Sequence, residues 1–521
     1  MRAYLYFTVF AAGMTTLAIE MSASRLLGPS FGVSNLVWAS IIGLILIYLT
    51  VGYFLGGRWA DRSPFPQTMY TILLWGAFTS GLIPLVARPV LRFAAGAFDL
   101  LQVGVLAGSF ISVLLLFFLP ITLLGTISPF AIRLAIDDPA SAGSISGRIY
   151  AISTLGSFIG TFIPVLVLTP LIGTAYTFLA FSSFLTLVAL GGLWMAGGWR
   201  ATLRWVWMPL VLLLIALFGV RGPLKATAGQ IYEAESAYNY IQVLEQDGFR
   251  LLRLNEGQGI HSQWHPTILD YQGPWEQFLA APFFNPVQEG NPYRPEIVES
   301  MAIIGLAAGT VARQASEVFG PIPIDGYEID PVIIQVGQDY FDMRLPNLNA
   351  IAEDGRMGLA HSARQYSVIM VDAYRPPYIP WHLTTQEFFE LVHDRLSPDG
   401  VLAINVGRAP DDRRLIEGLV GTIQTVFPSI YVMDVPESFN SMVYATVQPS
   451  QLTDLYFNFD QLLKRGDGHP LLLESLYRTV YYLQPTPESS IVYTDDLAPV
   501  EWLTNEMVLS YVLFGDLEVL K

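Results

Sequence analysis

The pattern of hydrophobic and polar positions divides the chain into two parts. Residues 1–222 contain apolar runs of roughly twenty residues, which is the length that a helix needs to cross the hydrocarbon core of a membrane. After Pro223 the apolar runs shorten to roughly four to eight residues and alternate with polar segments, as in strands and amphipathic helices. The pattern predicts a multi-span α-helical membrane part followed by an α/β part.

We predict seven membrane-spanning helices in residues 1–222. Small residues spaced four apart, as at Gly156 and Gly160, favour close packing of helices in lipid. The first apolar run is not a cleavable signal peptide, because no small-residue cleavage site follows it and further apolar runs come later. The predicted spans lie at residues 4–22, 36–56, 69–87, 102–124, 149–169, 174–196 and 205–219.

The charges between these spans leave their orientation open. Six arginines fall in one set of loops, whereas four arginines and Lys225 fall in the other, so the positive-inside bias is slight. Seven spans with the more basic loops inside would place the α/β part outside the cell. We instead expect the helical part in the cell membrane, with several spans, and the α/β part in the cytoplasm.

One carboxylate lies within the predicted spans. Glu20, near the end of the first span, is either a functional intramembrane group or the partner of Arg25 in an interfacial ion pair. We favour the ion pair, because a charged residue at a helix end can fix the position of the helix without any further role.

Residues 223–300 predict a linker and a small β-hairpin region. Two alternating runs, YIQVLEQ and FRLLRLN, flank Asp247-Gly248, a pair that is typical of a two-residue hairpin turn. A helix is predicted over residues 273–284, GPWEQFLAAPFF, and its aromatic side chains are assigned to a hydrophobic core.

Residues 301–521 predict a doubly wound, Rossmann-like α/β domain, because strands and helices alternate along them. A proline-rich loop after residue 372 precedes an amphipathic helix with Thr384 or Thr385 at its N-cap, and such a loop can act as a lid. SPDGVLAINVG predicts a fifth buried strand, and IYVMDV with MVYATV predicts a closing antiparallel pair.

Residues 301–372 carry the strongest candidate for a binding site. Three short apolar runs there each end in a glycine or an acid, as in a parallel sheet that presents polar groups at its carboxyl edge. The first run turns at Gly305 and enters a helix after Gly309, so that backbone N–H groups can approach a ligand closely.

Three acids follow this glycine turn in an order that predicts a nucleoside site. Glu328 ends the second run about twenty residues later, where an acid usually binds ribose hydroxyls. Asp354-Gly355 and Asp372 follow later apolar runs. The alternative is an ordinary α/β sheet with polar strand ends.

Composition restricts the function further. The chain has 521 residues and a net charge of −16, and residues 223–521 hold 39 of its 44 acids. Such an acidic part argues against nucleic acid as a partner, because phosphate binding needs a basic surface. The absence of cysteine excludes disulfides and thiolate ligands, and six scattered histidines without an HExxH pair do not predict a metal site.

The order of hairpin, glycine loop, EID, DGR, DAY and SPDGVL over residues 236–450 resembles the spermidine synthase family of polyamine aminopropyltransferases. The membrane part, LNEGQGIHS, IPWHLTTQEF and TDDLAPVE at 494–501 are similar to the membrane-fused branch of that family. The resemblance implies a methyltransferase-type Rossmann domain, decarboxylated S-adenosylmethionine as co-substrate, an amine acceptor such as putrescine, no metal, and a homodimer formed through the hairpin region.

The resemblance also implies roles for individual residues. Asp372 would be the base that takes a proton from the amine. His261 falls where the family often has a glutamine facing the cofactor, although it is equally interpreted as a satisfied loop histidine. The expected cofactor-binding residues are Gly305, Gly309, Glu328, Asp330, Asp354, Gly355 and His261, and the expected substrate-binding residues are Glu276 and Tyr374.

Three departures from the family pattern keep other functions open. Ala308 replaces an acid of the glycine loop, Arg375 replaces an acid that helps to bind the amine, and Pro274 replaces a tyrosine. The first hypothesis remains an aminopropyltransferase. The alternatives are an S-adenosylmethionine-dependent methyltransferase and a non-catalytic polyamine or nucleoside sensor linked to transport.

Overall fold

The chain folds into two compact units, Met1–Ala226 and Thr227–Lys521. The structure is a computed structural model, and it describes residues 2–31, 35–101, 105–220, 227–255, 259–287, 290–373, 379–409, 412–504 and 506–507. The boundary predicted between residues 222 and 223 lies outside the described residues, as do Tyr374 and Arg375. The second unit contains both the β-hairpin region and the Rossmann-like region, which the sequence pattern predicts as separate parts.

The described residues of the first unit form helices joined by short connections. Each predicted span overlaps a helix, and Pro164–Leu168 and Ile215–Gly219 continue α6 and α8 as single π-helical turns. The helices are α1 (Arg2–Phe31), α2 (Asn35–Arg62), α3 (Pro66–Leu101), α4 (Val105–Gly125), α5 (Ile127–Ala135), α6 (Ala142–Ile163), α7 (Thr169–Leu203) and α8 (Trp207–Leu214).

Five helices of the described residues are long and apolar enough to cross a membrane, by length and composition. The fifth, Pro139–Leu203, is 65 residues long and contains two of the seven predicted spans. They are separated at Gly173, where φ 79° and ψ 166° leave the helical region. The last predicted span is the shorter apolar helix Trp207–Gly219.

Glycines allow α1 and α6 to approach each other closely. A Cβ atom on Gly156 would overlap the carbonyl oxygen of Phe10, and one on Gly160 would overlap that of Met14. The small-residue spacing therefore marks a helix contact, as predicted. Glu20 lies partly buried on α1, and both interpretations of it stay predictions.

The second unit begins with a four-stranded antiparallel sheet in the order β1-β2-β3-β4. The predicted hairpin is confirmed: β2 pairs with β3 around Asp247 and Gly248, whose φ values of 51° and 84° are those of a hairpin turn with two left-handed residues. The strands are β1 (Gln230–Glu235), β2 (Tyr240–Gln246), β3 (Phe249–Leu254) and β4 (Ile260–Trp264).

The larger sheet has eight strands in the order β12-β10-β11-β9-β8-β5-β6-β7. Strands β5 to β9 pair in parallel, and β11 runs antiparallel to both β9 and β10. The strands are β5 (Met301–Ile304), β6 (Ile324–Glu328), β7 (Leu348–Ala352), β8 (Tyr366–Val371), β9 (Leu396–Gly407), β10 (Ser429–Asp434), β11 (Asn440–Thr446) and β12 (Leu483–Gln484).

Helices connect these strands and produce the predicted doubly wound, Rossmann-like fold of the methyltransferase type. Alternate residues of β5 enter two different core clusters, Ile303 one and Ile304 the other, because the sheet is covered on both faces. The helices are α9 (Thr310–Phe319), α10 (Pro331–Tyr340), α11 (Gly355–His361), α12 (Gln386–Arg395), α13 (Arg414–Ile423), α14 (Leu452–Arg465) and α15 (Pro470–Tyr481).

Two local predictions near the sheet are confirmed, and in the second the structure adds the type of helix. Thr385 caps α12 by accepting a hydrogen bond from the Phe388 N–H, as predicted for one of the two threonines. The helix predicted over residues 273–284 is a 3₁₀ helix, Glu276–Phe284, rather than an α-helix. Pro282 inside it has no N–H and cannot complete an α-helical hydrogen-bond ladder.

Candidate active site

A cavity of about 460 Å³ lies where β5, β6 and β8 end. The carboxyl edge of a parallel sheet is where ligands bind in this class of fold. Six of the predicted site residues line the cavity, and they are His261, Gly305, Glu328, Asp354, Gly355 and Asp372. Gly309, Asp330 and Glu276 lie outside its lining, and Tyr374 lies outside the described residues.

The turn after β5 brings the backbone close to the end of β8. Gly305 has φ 88°, and a Cβ atom there would lie 2.6 Å from the Asp372 carbonyl oxygen. Only glycine fits both the left-handed backbone and this approach. Gly309 caps α9 at φ 85°, and a Cβ atom there would meet the Met343 side chain at 2.6 Å.

Glu328 holds the same turn from β6. Its Oε2 atom accepts a hydrogen bond from the Ala307 N–H at 3.0 Å, and its Oε1 atom accepts one from the Asp330 N–H at 3.1 Å. Burial raises the pKa of Glu328 to about 7, although these two hydrogen bonds act in the opposite direction. The carboxylate retains lone pairs that can accept hydrogen bonds from hydroxyl groups in the cavity.

Asp330 acts behind the cavity wall. Its carboxylate caps α10 by accepting a hydrogen bond from the Val332 N–H at 3.0 Å. It also accepts hydrogen bonds from the Ser236 hydroxyl and, at 3.0 Å, from Asn239 Nδ2. Because Asn239 lines the cavity, Asp330 connects the small sheet to the cavity wall.

Asp354 and Gly355 form the next part of the wall. Asp354 caps α11 by accepting hydrogen bonds from the N–H groups of Arg356 and Met357 at 3.0 and 3.2 Å. Its Oδ2 atom lies 2.9 Å from His382 Nε2, and this contact is the main reason why the pKa of Asp354 lies below its usual range. Asp354 is therefore a carboxylate near neutral pH.

Asp372 follows β8 and faces the cavity. The Asn405 side chain on β9 donates a hydrogen bond from Nδ2 to Asp372 Oδ1 at 2.8 Å. Burial raises the pKa of Asp372 to about 7, and the hydrogen bond from Asn405 opposes that effect. A carboxyl group with a pKa near neutral pH is well suited to take up a proton.

Two polar atoms in the cavity lining lack partners among the described residues. They are His261 Nε2 on β4 and Asn405 Oδ1 on β9, and both atoms are buried. Burial lowers the pKa of His261 to about 4, so its ring is neutral at pH 7. Unpaired buried polar atoms are costly, which favours the interpretation of His261 as a ligand-facing residue over a satisfied loop histidine.

Glu276 is fully buried outside the cavity. It accepts hydrogen bonds from the N–H groups of Tyr271 and Gly273, both at 2.9 Å, and from Gln314 Nε2 at 2.6 Å. These bonds fix the turn that presents Pro274 and Trp275 to the cavity. The structure thus places Glu276 as a support of the wall, and a role in binding substrate stays a prediction.

Several polar residues of the cavity were not predicted from the sequence, among them Asn405, His382, Asn239 and Asn440. A signal existed for Asn405, because it is the polar residue inside the apolar run VLAIN. His382 lies in the 3₁₀ helix Trp381–Leu383, Asn239 in a loop and Asn440 at the start of β11, and none of them had a local signal. No group of three or more histidine, aspartate or glutamate side chains in the described part of the chain could hold a metal ion.

The sequence of this chain is similar to sequences of known proteins. The family model for the spermine/spermidine synthase domain matches residues 298–456. A polyamine aminopropyltransferase from Vibrio vulnificus is 30% identical over 250 residues, which cover 46% of this chain and 80% of that protein. The chain belongs to the spermine/spermidine synthase family.

Two further relatives show the range of these similarities. A probable polyamine aminopropyl transferase from Bifidobacterium longum is 31% identical over 285 residues, covering 52% of this chain and 61% of that protein. The chain thus spans less than two thirds of the length of this relative. An N-terminal histidine N-methyltransferase from Emericella nidulans is 30% identical over 211 residues, covering 37% of each protein.

Proposed function

We propose that this member of the spermine/spermidine synthase family transfers an aminopropyl group from decarboxylated S-adenosylmethionine to an amine such as putrescine. The observation that carries the proposal is Asp372, a carboxyl group that faces the cavity and whose pKa burial raises to about 7. Glu328 and Asp354 line the same cavity. The family resemblance implies that Glu328 holds the ribose and that Asp354, with Gly355, holds the adenine edge.

The proposed reaction is a nucleophilic substitution at carbon. The amine nitrogen attacks the aminopropyl carbon next to the sulfonium, a C–N bond forms, and the C–S bond breaks with its electron pair passing to sulfur. Neutral methylthioadenosine leaves. The proton lost by the amine passes to Asp372, because an alkylamine with a pKa of about 10 is mostly protonated at neutral pH and cannot attack until it loses that proton.

Asn405 supports this step from the neighbouring strand. Its Nδ2 group holds Asp372 Oδ1 at 2.8 Å, and its Oδ1 atom has no partner among the described residues. We propose that this oxygen accepts a hydrogen bond from the attacking amine. The amide would then fix the base and the nucleophile at once, and such positioning lowers the entropic barrier.

The test uses the purified full-length chain with decarboxylated S-adenosylmethionine and, separately, with S-adenosylmethionine. Each donor is mixed with a panel of amines, and mass spectrometry identifies the nucleoside product. Methylthioadenosine together with an aminopropylated amine is the expected result. Asp372→Asn is the matched variant, and undiminished turnover in it would rule out Asp372 as the base.

A methyltransferase is the second candidate. The residues between Gly305 and Gly309 are Leu306, Ala307 and Ala308, so this turn offers no carboxylate to repel the carboxylate of intact S-adenosylmethionine. The similarity to the Emericella nidulans methyltransferase agrees with this reading. S-adenosylhomocysteine as the product would establish it and would overturn aminopropyl transfer.

We further propose that the helical unit is a multi-pass domain of the cell membrane and that the second unit faces the cytoplasm, where the donor nucleoside is made. Five helices of sufficient length and apolarity support the membrane assignment. The lipid bilayer is then a partner of the chain. Homodimer formation stays a prediction from the family resemblance.

A further inference from the structure

A turn near the end of the described chain forms hydrogen bonds with residues that support the wall of the cavity. The turn is Thr494–Leu497, whose terminal N–H and C=O groups pair with each other at 3.0 and 3.1 Å. It belongs to the TDDLAPVE segment and lies beyond residue 456, where the match to the family model ends. The turn itself therefore lies outside the part of the chain that matches the family model, whereas the residues it contacts lie inside that part.

The strongest contact of this turn is an ion pair with α11. Asp495 accepts two hydrogen bonds from Arg356, from Nη1 to Oδ1 and from Nη2 to Oδ2, both at 2.7 Å. The side chains are 21% and 41% exposed for Arg356 and Asp495 respectively, so the pair is partly shielded from water. Such a bidentate pair fixes direction as well as distance, which a single hydrogen bond does not.

Arg356 connects the Asp495 ion pair to residues of the cavity wall. It directly follows Asp354-Gly355 in the chain, and its Nη1 group also donates a hydrogen bond to the His382 carbonyl oxygen at 3.0 Å. The His382 ring in turn lies 2.9 Å from Asp354 Oδ2. Pro380, His382, Asp354 and Gly355 all line the cavity, so Arg356 connects the two pieces of wall from behind.

The same turn is attached to the start of α12. Asp495 Oδ1 accepts a hydrogen bond from the Thr385 hydroxyl at 2.8 Å, and the Asp495 N–H donates to Glu387 Oε2 at 3.0 Å. The Gln386 N–H donates to the Tyr493 carbonyl oxygen at 2.8 Å. Asp495 therefore contacts both ends of the connection that runs from α11 to the segment at residues 380–385.

We propose that Asp495 is a positioning residue, which holds the walls at Asp354-Gly355 and at residues 380–385 in the spacing that a nucleoside needs. This inference rests on the proposed function, since it assigns those walls to the nucleoside. Asp495 lies outside the cavity lining, and its carboxylate reaches the two walls through Arg356 and Thr385.

The test compares Asp495→Asn with Asp496→Asn in the purified full-length chain. Asp496 is the neighbouring exposed acid, and no ion pair or hydrogen bond of its side chain is found among the described residues. We expect Asp495→Asn to weaken methylthioadenosine binding at least tenfold by calorimetry and to speed hydrogen exchange at residues 380–385. Asp496→Asn should change the dissociation constant less than twofold. Turnover at saturating donor should fall less than the affinity, because Asp495 touches no reacting atom.

The outcomes separate this inference from the proposed function. If wild-type protein binds no methylthioadenosine, the proposed function fails, and exchange at residues 380–385 still tests the positioning role. Wild-type affinity and wild-type exchange in Asp495→Asn would overturn the inference. If that variant does not fold, Arg356→Lys is the second variant, because lysine retains the positive charge but cannot form the bidentate pair. We expect Arg356→Lys to weaken methylthioadenosine binding as well. Unchanged binding in Arg356→Lys would also overturn the inference.

Discussion

Asn405 and Asp372 lie side by side because their strands are in register. Strands β8 and β9 pair in parallel, with Val371 opposite Ile404. Asp372 follows Val371 and Asn405 follows Ile404, so these two residues are also neighbours. The 2.8 Å hydrogen bond from Asn405 Nδ2 to Asp372 Oδ1 is thus built into the sheet. It stabilises the carboxylate form of a group whose pKa burial raises to about 7.

This relationship predicts the pH dependence of turnover. The base must be ionised, so kcat/KM should rise with pH through about 7 in the wild-type protein. Asn405→Leu removes the hydrogen bond to the carboxylate form and should move that rise to higher pH by about one pH unit, the equivalent of one such bond. Rate profiles from pH 5.5 to 9 measure this.

Asn440→Leu is the control for that profile. Asn440 lines the same cavity, but no hydrogen bond from its side chain to Asp372 is found among the described residues. Its substitution is expected to change KM and leave the midpoint of the pH profile in place. A midpoint that is the same in the wild-type protein and in Asn405→Leu would contradict the role given to Asn405.

Asp372→Asn should lower turnover by about 10²–10⁴-fold, the usual contribution of a positioned base.

Asp372→Asn should also stabilise the fold, more strongly at pH 8 than at pH 5. An unfolded aspartate has a pKa of about 3.9, whereas that of folded Asp372 is raised to about 7, so the wild-type fold loses stability as pH rises between these values. Asparagine has no charge to bury. Thermal unfolding at the two pH values checks the sign, and a larger gain at pH 5 would contradict it.

The sequence predicts the acids of this site because each follows an apolar run. Glu328, Asp354 and Asp372 could be selected from local pattern alone, since parallel strands bring their carboxyl ends to one edge. The Asp247-Gly248 hairpin was equally local. Asp495 could not be found in this way, because its partner Arg356 lies 139 residues earlier in the chain.

The backbone at Gly305 provides a third prediction. Gly305→Ala forces a side chain onto a φ of 88° and places its Cβ atom 2.6 Å from the Asp372 carbonyl oxygen. We expect a loss of about 1–3 kcal/mol in the free energy of unfolding and at least tenfold weaker binding of methylthioadenosine.

Gly320→Ala is the control that separates backbone strain from the steric contact with Asp372. Gly320 has φ 80°, and a Cβ atom there meets nothing within 4 Å, so this variant carries the backbone strain without the steric contact. Its nucleoside affinity should equal that of the wild-type protein. Equal loss of affinity in both variants would show that strain alone, not the approach to Asp372, accounts for the effect.

The carboxylates that line the cavity predict that the protein distinguishes only weakly between a diamine and a monoamine as the acceptor. Among the described lining residues the carboxylates are Glu328, Asp354 and Asp372, and each already has another proposed role. A second ammonium group would have no further carboxylate partner among these described lining residues. Putrescine and 4-aminobutan-1-ol, which differ only at that end, should therefore have kcat/KM values within about tenfold of each other, a difference of about 1.4 kcal/mol. A preference for putrescine above a hundredfold would contradict this.

The helical unit predicts that its two ends lie on opposite sides of the membrane. Near the start of the chain, the Tyr4 and Tyr70 rings are 6.1 Å apart. At the other end of the unit, Arg88 Nη2 donates a hydrogen bond to the Val220 carbonyl oxygen at 3.0 Å. Tyr70 and Arg88 both belong to α3, where eighteen residues correspond to about 27 Å of helix.

If the second unit is in the cytoplasm, as proposed, the amino-terminal end of α1 then faces outside. The chain contains no cysteine, so single cysteines can be introduced without other changes. A membrane-impermeant maleimide should label Ala3→Cys in intact cells and Lys464→Cys only after permeabilisation. The opposite pattern would place the second unit outside, as the slight excess of arginine in the loops on the amino-terminal side favours. Labelling of both positions on one side would show that the chain crosses the membrane an even number of times.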